Sequence, residues 1–97
     1  MGTYIVLSNF TDQGIRNVKD TGKRSDAVRE LAKKFGVTVK DFYWTLGSYD
    51  VVAIFEAPDD ASMTAFGLAI GTQGNVRTQT LRAYSREDLN TILTKLG

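Results

Sequence analysis

The run Val51-Val52-Ala53-Ile54-Phe55 is apolar at every position. In an extended chain successive side chains point to opposite sides, so Val51, Ala53 and Phe55 face one way and Val52 and Ile54 the other. A strand that is apolar on both sides belongs in a sheet whose two faces are both covered. The stretch just before it, VTVKDFYWTL from Val37, is again rich in β-branched and aromatic residues and reads as a second strand. Gly47-Ser48-Tyr49 lies between them and is short enough for a hairpin connection, with Gly47 able to take a positive φ at little steric cost. The two strands are therefore expected to be antiparallel neighbours. Pro58 ends the second because it has no amide to give to a ladder.

The flanking segments repeat one pattern on either side of this hairpin. TYIVLSNF, from Thr3, alternates with Thr3, Ile5 and Leu7 on one side and Tyr4, Val6 and Ser8 on the other, a first strand. After a turn-rich stretch in which Ile15 and Val18 suggest a short helix, SDAVRELAKKF carries an apolar stripe of Ala27, Val28, Leu31, Ala32 and Phe35. Lys33, Lys34 and Gly36 suit its C-terminus, and Gly22 is expected to mark a break between the two helical pieces. DDASMTAFGLAIG reads as a second major helix, capped by Asp59 or Asp60, with Met63, Phe66, Leu68 and Ile70 as its larger apolar residues. NVRTQTLRAY supplies a fourth strand. SREDLNTILTKL supplies a final amphipathic helix with Ser85 and Asp88 as a capping box, seated by Leu89, Ile92, Leu93 and Leu96.

Strand, helix, strand, strand, helix, strand is the order of a split βαβ, or ferredoxin-like, α+β sheet with its helices on one face. The 97 residues are expected to form one domain. Two major helices cover one face only, which leaves aromatic and aliphatic side chains bare on the other. Packing the bare sheets of two copies together would bury them in a symmetric dimer, so a homo-oligomer of at least two chains is expected.

Composition narrows the chemistry. With no cysteine and no histidine, the chain has no thiolate nucleophile, disulfide, imidazole proton shuttle or His/Cys metal site. Twelve basic and eleven acidic side chains leave a net charge of +1, which gives no electrostatic case for a nucleic-acid binder. No stretch approaches the 18 or so consecutive apolar residues of a membrane span, and MGTYIVLSNF lacks the build of a signal peptide, so a cytoplasmic address is expected. Asp59-Asp60 after Pro58 suits helix capping better than metal binding. The order helix, Gly71-Thr72-Gln73-Gly74, strand is the reverse of a phosphate-binding glycine loop, and no metal or cofactor is expected.

FYWTLGSYDVVAIFEAPDD, followed by GNVRTQTLRAY, resembles the GYD-domain family, whose Gly-Tyr-Asp-type stretch is represented here by Gly47, Tyr49 and Asp50. The resemblance extends from TYIVLSNFTDQGIRNVKD through Tyr84. It implies a small α+β protein of the dimeric α+β-barrel type, in which face-to-face sheets enclose a cleft. It carries no catalytic assignment, and fold alone does not supply one.

The residues themselves suggest where chemistry would sit. Asp50 is a candidate general base beside Tyr49, a candidate proton donor, and both have a simpler reading as parts of the hairpin corner, Asp50 accepting backbone N–H bonds. Trp44 and Tyr43 point to opposite faces. One of them would line the second face, where an aromatic ring stacks on a flat ligand or packs a dimer. Arg77 offers a planar donor fork for a carboxylate, or a partner for Asp50, and shares its face with Gln79. The leading expectation is an oligomer that binds a small metabolite through Trp44, Tyr49, Asp50 and Arg77. The alternatives are a cofactor-independent oxidoreductase or isomerase using Asp50 and Tyr49, and a purely structural assembly protein.

Overall fold

The structure, a computed structural model, describes residues 1–97. Four strands, β1 (Gly2–Phe10), β2 (Thr38–Trp44), β3 (Val51–Ala57) and β4 (Val76–Ala83), form one antiparallel sheet in the order β2-β3-β1-β4. Helices α1 (Asp12–Arg16) and α2 (Thr21–Lys34) lie between β1 and β2, α3 (Asp60–Thr72) lies between β3 and β4, and α4 (Arg86–Leu93) follows the sheet. This is the α+β, ferredoxin-like arrangement that the alternating pattern implies.

The register fixes which residues share a face. Tyr4 pairs with Phe55 and Val6 with Ala53, so these four, with Val51 and Ala57, form the helix-facing side of the two central strands. Met63, Phe66 and Ile70 of α3 and Ala32 of α2 close over them. The Phe55 and Phe66 rings meet edge to face at 5.2 Å. The other side carries Ile5 opposite Ile54 and Leu7 opposite Val52, flanked by Leu81 on β4 and Tyr43 on β2. The two major helices both lie on the first side, and this second face is open.

Local signals end the helices as the sequence suggests. After α2, Gly36 takes φ +70°, the Gly36 amide bonds to the Lys33 carbonyl and the Val37 amide to the Ala32 carbonyl, while Val37 itself is buried. That pair of bonds is a Schellman cap. Asp59 caps α3 by accepting the Ser62 amide at 2.7 Å. At α4 Ser85 and Asp88 bond to one another's backbone amides.

Several expectations are corrected. The break expected near Gly22 in the first crossover is a 3₁₀ turn at Val18–Asp20, just ahead of it; Gly22 itself does not mark the break but lies inside the first turn of α2 and accepts the Ser25 hydroxyl through its carbonyl. The hairpin connection spans residues 45–50, longer than the Gly-Ser-Tyr link, because β2 stops at Trp44. Of the larger apolar residues of α3, Met63, Phe66 and Ile70 face the sheet while Leu68 turns away and is 68% exposed. α4 does not pack closely on the sheet or the other helices, and Leu89, Ile92, Leu93 and Leu96 all remain exposed.

Candidate functional site

The hairpin corner is held by its own backbone. The Thr45 amide bonds to the Asp50 carbonyl at 2.8 Å and the Thr45 hydroxyl to the Tyr49 carbonyl at 2.6 Å, while Gly47, at φ +118°, turns the tip. Asp50 ties this loop to β1. Its amide donates to the Ser8 carbonyl and its Oδ2 accepts the Phe10 amide, both at 2.9 Å, so the side chain continues a ladder that the backbone has left. The Tyr49 hydroxyl donates to Gln79 Oε1 at 3.2 Å, crossing from the corner to β4.

Arg77 sits two residues from Gln79 on the same side of β4, opposite Asn9, and its guanidinium makes neither a hydrogen bond nor an ion pair. The two ion pairs in the chain are Lys33–Glu30 at 3.0 Å and Lys40–Glu56 at 3.7 Å, so the Asp50–Arg77 bridge does not form. Trp44 lies apart from this group. Its indole Nε1 donates to the Thr21 hydroxyl at 2.9 Å and its ring stands 5.1 Å from Phe42, which puts it on the helix side; Tyr43 occupies the open face instead. The structure thus brings Tyr49 to a β4 side chain beside Arg77, keeps Asp50 on a backbone amide and holds Trp44 on the other side of the sheet.

A second region was not singled out by sequence reasoning. On the helix side, α3 seals the central strands but does not close down on β4, whose Thr78 and Thr80 remain exposed. The result is a groove of about 810 Å³ bordered by Met63, Gly67, Leu68, Thr78 and Thr80. At one end the Tyr4 hydroxyl donates to Asp60, and the Arg82 guanidinium lies 5.3 Å from the Tyr4 ring centre and 4.7 Å from that of Tyr84. Arg82 Nη1 also donates to the Thr3 and Ala83 carbonyls, and a β-carbon at Gly2 would fall 2.8 Å from its Cζ, a contact that a shift of the flexible guanidinium would relieve. The hydrogen bond to Asp60 holds the Tyr4 phenol above its ordinary pKa; burial and the Asp60 charge add to the shift and Arg82 opposes it. The signal for this cluster was the paired Asp59-Asp60, since one aspartate suffices for the cap and leaves the other for Tyr4.

The family pattern of the GYD domain matches residues 4–93. The chain belongs to the GYD domain family. Within this GYD chain the matched span takes in the corner, the open face, the groove and α4. A relative from Thermus thermophilus, named glutamine synthetase and cystathionine beta-lyase binding protein, is 40% identical over 90 residues, covering 92% of this chain and 95% of its own. A crystal structure of a Thermus thermophilus protein matches with a TM-score of 0.56 at 25% identity, over 88% of this chain and 95% of that one. A hypothetical protein from Pyrococcus horikoshii gives 0.58 at 20% identity, over 89% and 93%, a likeness of fold alone. No helix of the GYD chain is long and apolar enough to cross a membrane.

Proposed function

We propose that this chain is a one-domain cytoplasmic binding protein that pairs with a second copy through the open face of its sheet, as a dimeric α+β barrel, and docks as that dimer on a partner enzyme. The observation that carries the reading is the uncovered apolar face made by Ile5, Leu7, Val52, Ile54 and Leu81. Exposed contiguous apolar surface of this kind is a mark of an interface. The name of the 40% identical relative supports enzymes as the further partners. Sedimentation velocity of the purified chain with the glutamine synthetase and the cystathionine beta-lyase of its own organism tests the docking. Co-sedimentation with either enzyme is expected, and independent sedimentation from both would reject it.

Binding of a small metabolite at the rim of the dimer cleft is a second reading, favoured by the free Arg77 guanidinium beside the Tyr49–Gln79 bond. An anionic metabolite would bond to Arg77 and to the Tyr49 hydroxyl, with Asp50 fixing the corner. Trp44, on the helix side, would contribute only through α2. The enzymatic alternative draws less support, because Asp50 Oδ2 is engaged by the Phe10 amide and the Tyr49 hydroxyl by Gln79. A thermal-shift screen of carboxylate metabolites, with R77A as the control, separates the readings; stabilisation that persists in R77A argues against this rim.

A further inference from the structure

The sheet has two edges, and they are built differently. On β2 the pairing with β3 slips between Val39 and Asp41, leaving Lys40 in a bulge, and Lys40 pairs with Glu56. A bulge and an edge lysine are devices that stop further strands from adding. On β4 nothing of the kind is present. Its residues pair with β1 without a shift from Val76 opposite Phe10 to Ala83 opposite Thr3, and VRTQTLRA contains neither proline nor glycine. Its outer rim therefore presents a regular row of amides and carbonyls, the template on which an added strand forms its hydrogen bonds.

The groove and the charges say what fits there. By register β4 carries Arg77 on the open-face side, opposite Asn9, and Arg82 on the groove side, opposite Tyr4; both arginines border the groove, and the strand carries no carboxylate. Pairing β4 with the β4 of a second copy would set two arginines against two with nothing acidic between them, an unfavourable juxtaposition. Asp60, at the end of the groove, already accepts the Tyr4 hydroxyl.

We propose that the β4 edge is a docking site for an extended acidic segment of a partner protein, which adds as a fifth strand beside β4 with one set of its side chains on the Arg77 side of that edge, beyond the paired central strands, and the other set in the α3–β4 groove. Carboxylates spaced to meet Arg77 and Arg82 lie on opposite faces of that segment, and small or aliphatic side chains between them meet Thr78, Thr80 and Leu68. The proposal rests on the binding reading above and names the surface it uses.

The probe is the blocked octapeptide Val-Glu-Val-Thr-Val-Thr-Glu-Val, compared with its lysine counterpart, with amide hydrogen exchange of the full-length protein followed residue by residue. The glutamate peptide is expected to protect alternate amides between Arg77 and Arg82, to bind more weakly as salt is raised, and to lose about fivefold to tenfold in affinity in R77E. R77E removes a side chain without partners, so its fold is expected to be intact, and it should prefer the lysine peptide. Protection elsewhere, or equal binding of both peptides, overturns the proposal. So does slow exchange along the β4 rim in the free protein, which would mean that a second copy already occupies it. If the wild type co-sediments with an enzyme partner and R77E does so equally well, the edge is not the docking site although the binding reading stands. If neither enzyme binds while the glutamate peptide still protects β4, the edge proposal stands and only the choice of enzyme fails.

Discussion

Tyr4 joins the core to the groove through one hydroxyl. The ring is buried beneath α3 at 4% exposure, and the hydroxyl reaches Asp60 at the start of that helix. Because its pKa is raised in the folded chain, the neutral phenol is favoured there. The stabilisation is then fully present below the ordinary tyrosine value near 10 and is lost as pH rises through the higher folded value. Y4F is expected to be less stable than the wild type by about 1 kcal/mol at neutral pH in urea titrations. The gap between the two should narrow above about pH 10. A constant gap across that range would show that the hydroxyl is not the cause. At this scale the sequence indicated some partners and not others. That Asp50 would accept a backbone amide was legible from its place after a glycine turn, but the amide was expected within the hairpin and is instead that of Phe10 on β1. The Tyr49–Gln79 bond was not, because it depends on the register of β4 against β1, which no local pattern carries.

The short helix α1 acts as a latch between the first crossover and the α3–β4 loop. The Thr11 amide bonds to the Asn75 carbonyl at 3.1 Å, the Thr11 hydroxyl to the Gly74 carbonyl at 2.6 Å, and Gln13 Nε2 reaches both the Gln73 carbonyl and Asn75 Oδ1. Gly14 lies so close under this loop that a β-carbon would fall 2.0 Å from the Asn75 carbonyl oxygen. The obstacle is backbone, which cannot swing aside. G14A is therefore expected to destabilise the fold by about 1–3 kcal/mol despite alanine's better helix propensity, visible as a lower urea midpoint. A stabilised G14A would mean that the loop moves freely. The elements themselves were readable from period and punctuation: alternation gave the strands, and Gly36, Asp59 and Ser85 gave helix ends. What periodicity could not supply was the surface each apolar stripe meets. Leu89, Ile92, Leu93 and Leu96 make α4 amphipathic, yet all four remain exposed without close packing on the sheet, and Leu68, apolar like Met63, Phe66 and Ile70 on the same helix, faces out.

At the scale of the whole molecule, the chain measures 52 × 31 × 18 Å, the thin dimension being one sheet with one layer of helices. Two-layer folds protect the outer face of the sheet only when that face is polar, and here the central strands carry Ile5, Leu7, Val52 and Ile54 on it. Pairing two such faces buries these side chains without disturbing either core, and leaves the β4 groove at the margin of the assembly. The need for a covering layer was already implied by the two-sided apolar run of β3; the membership of that face was settled by register, which assigns Tyr43 to it and removes Trp44. I54K replaces a side chain at the centre of the face with one that water solvates in a single copy, so the variant should fold and remain monomeric. Multi-angle light scattering at low micromolar concentration is the most direct test of the central claim. A mass of about 21 kDa, twice the 10.7 kDa chain, is predicted for the wild type and 10.7 kDa for I54K. A folded wild-type protein of 10.7 kDa under the same conditions would contradict the account.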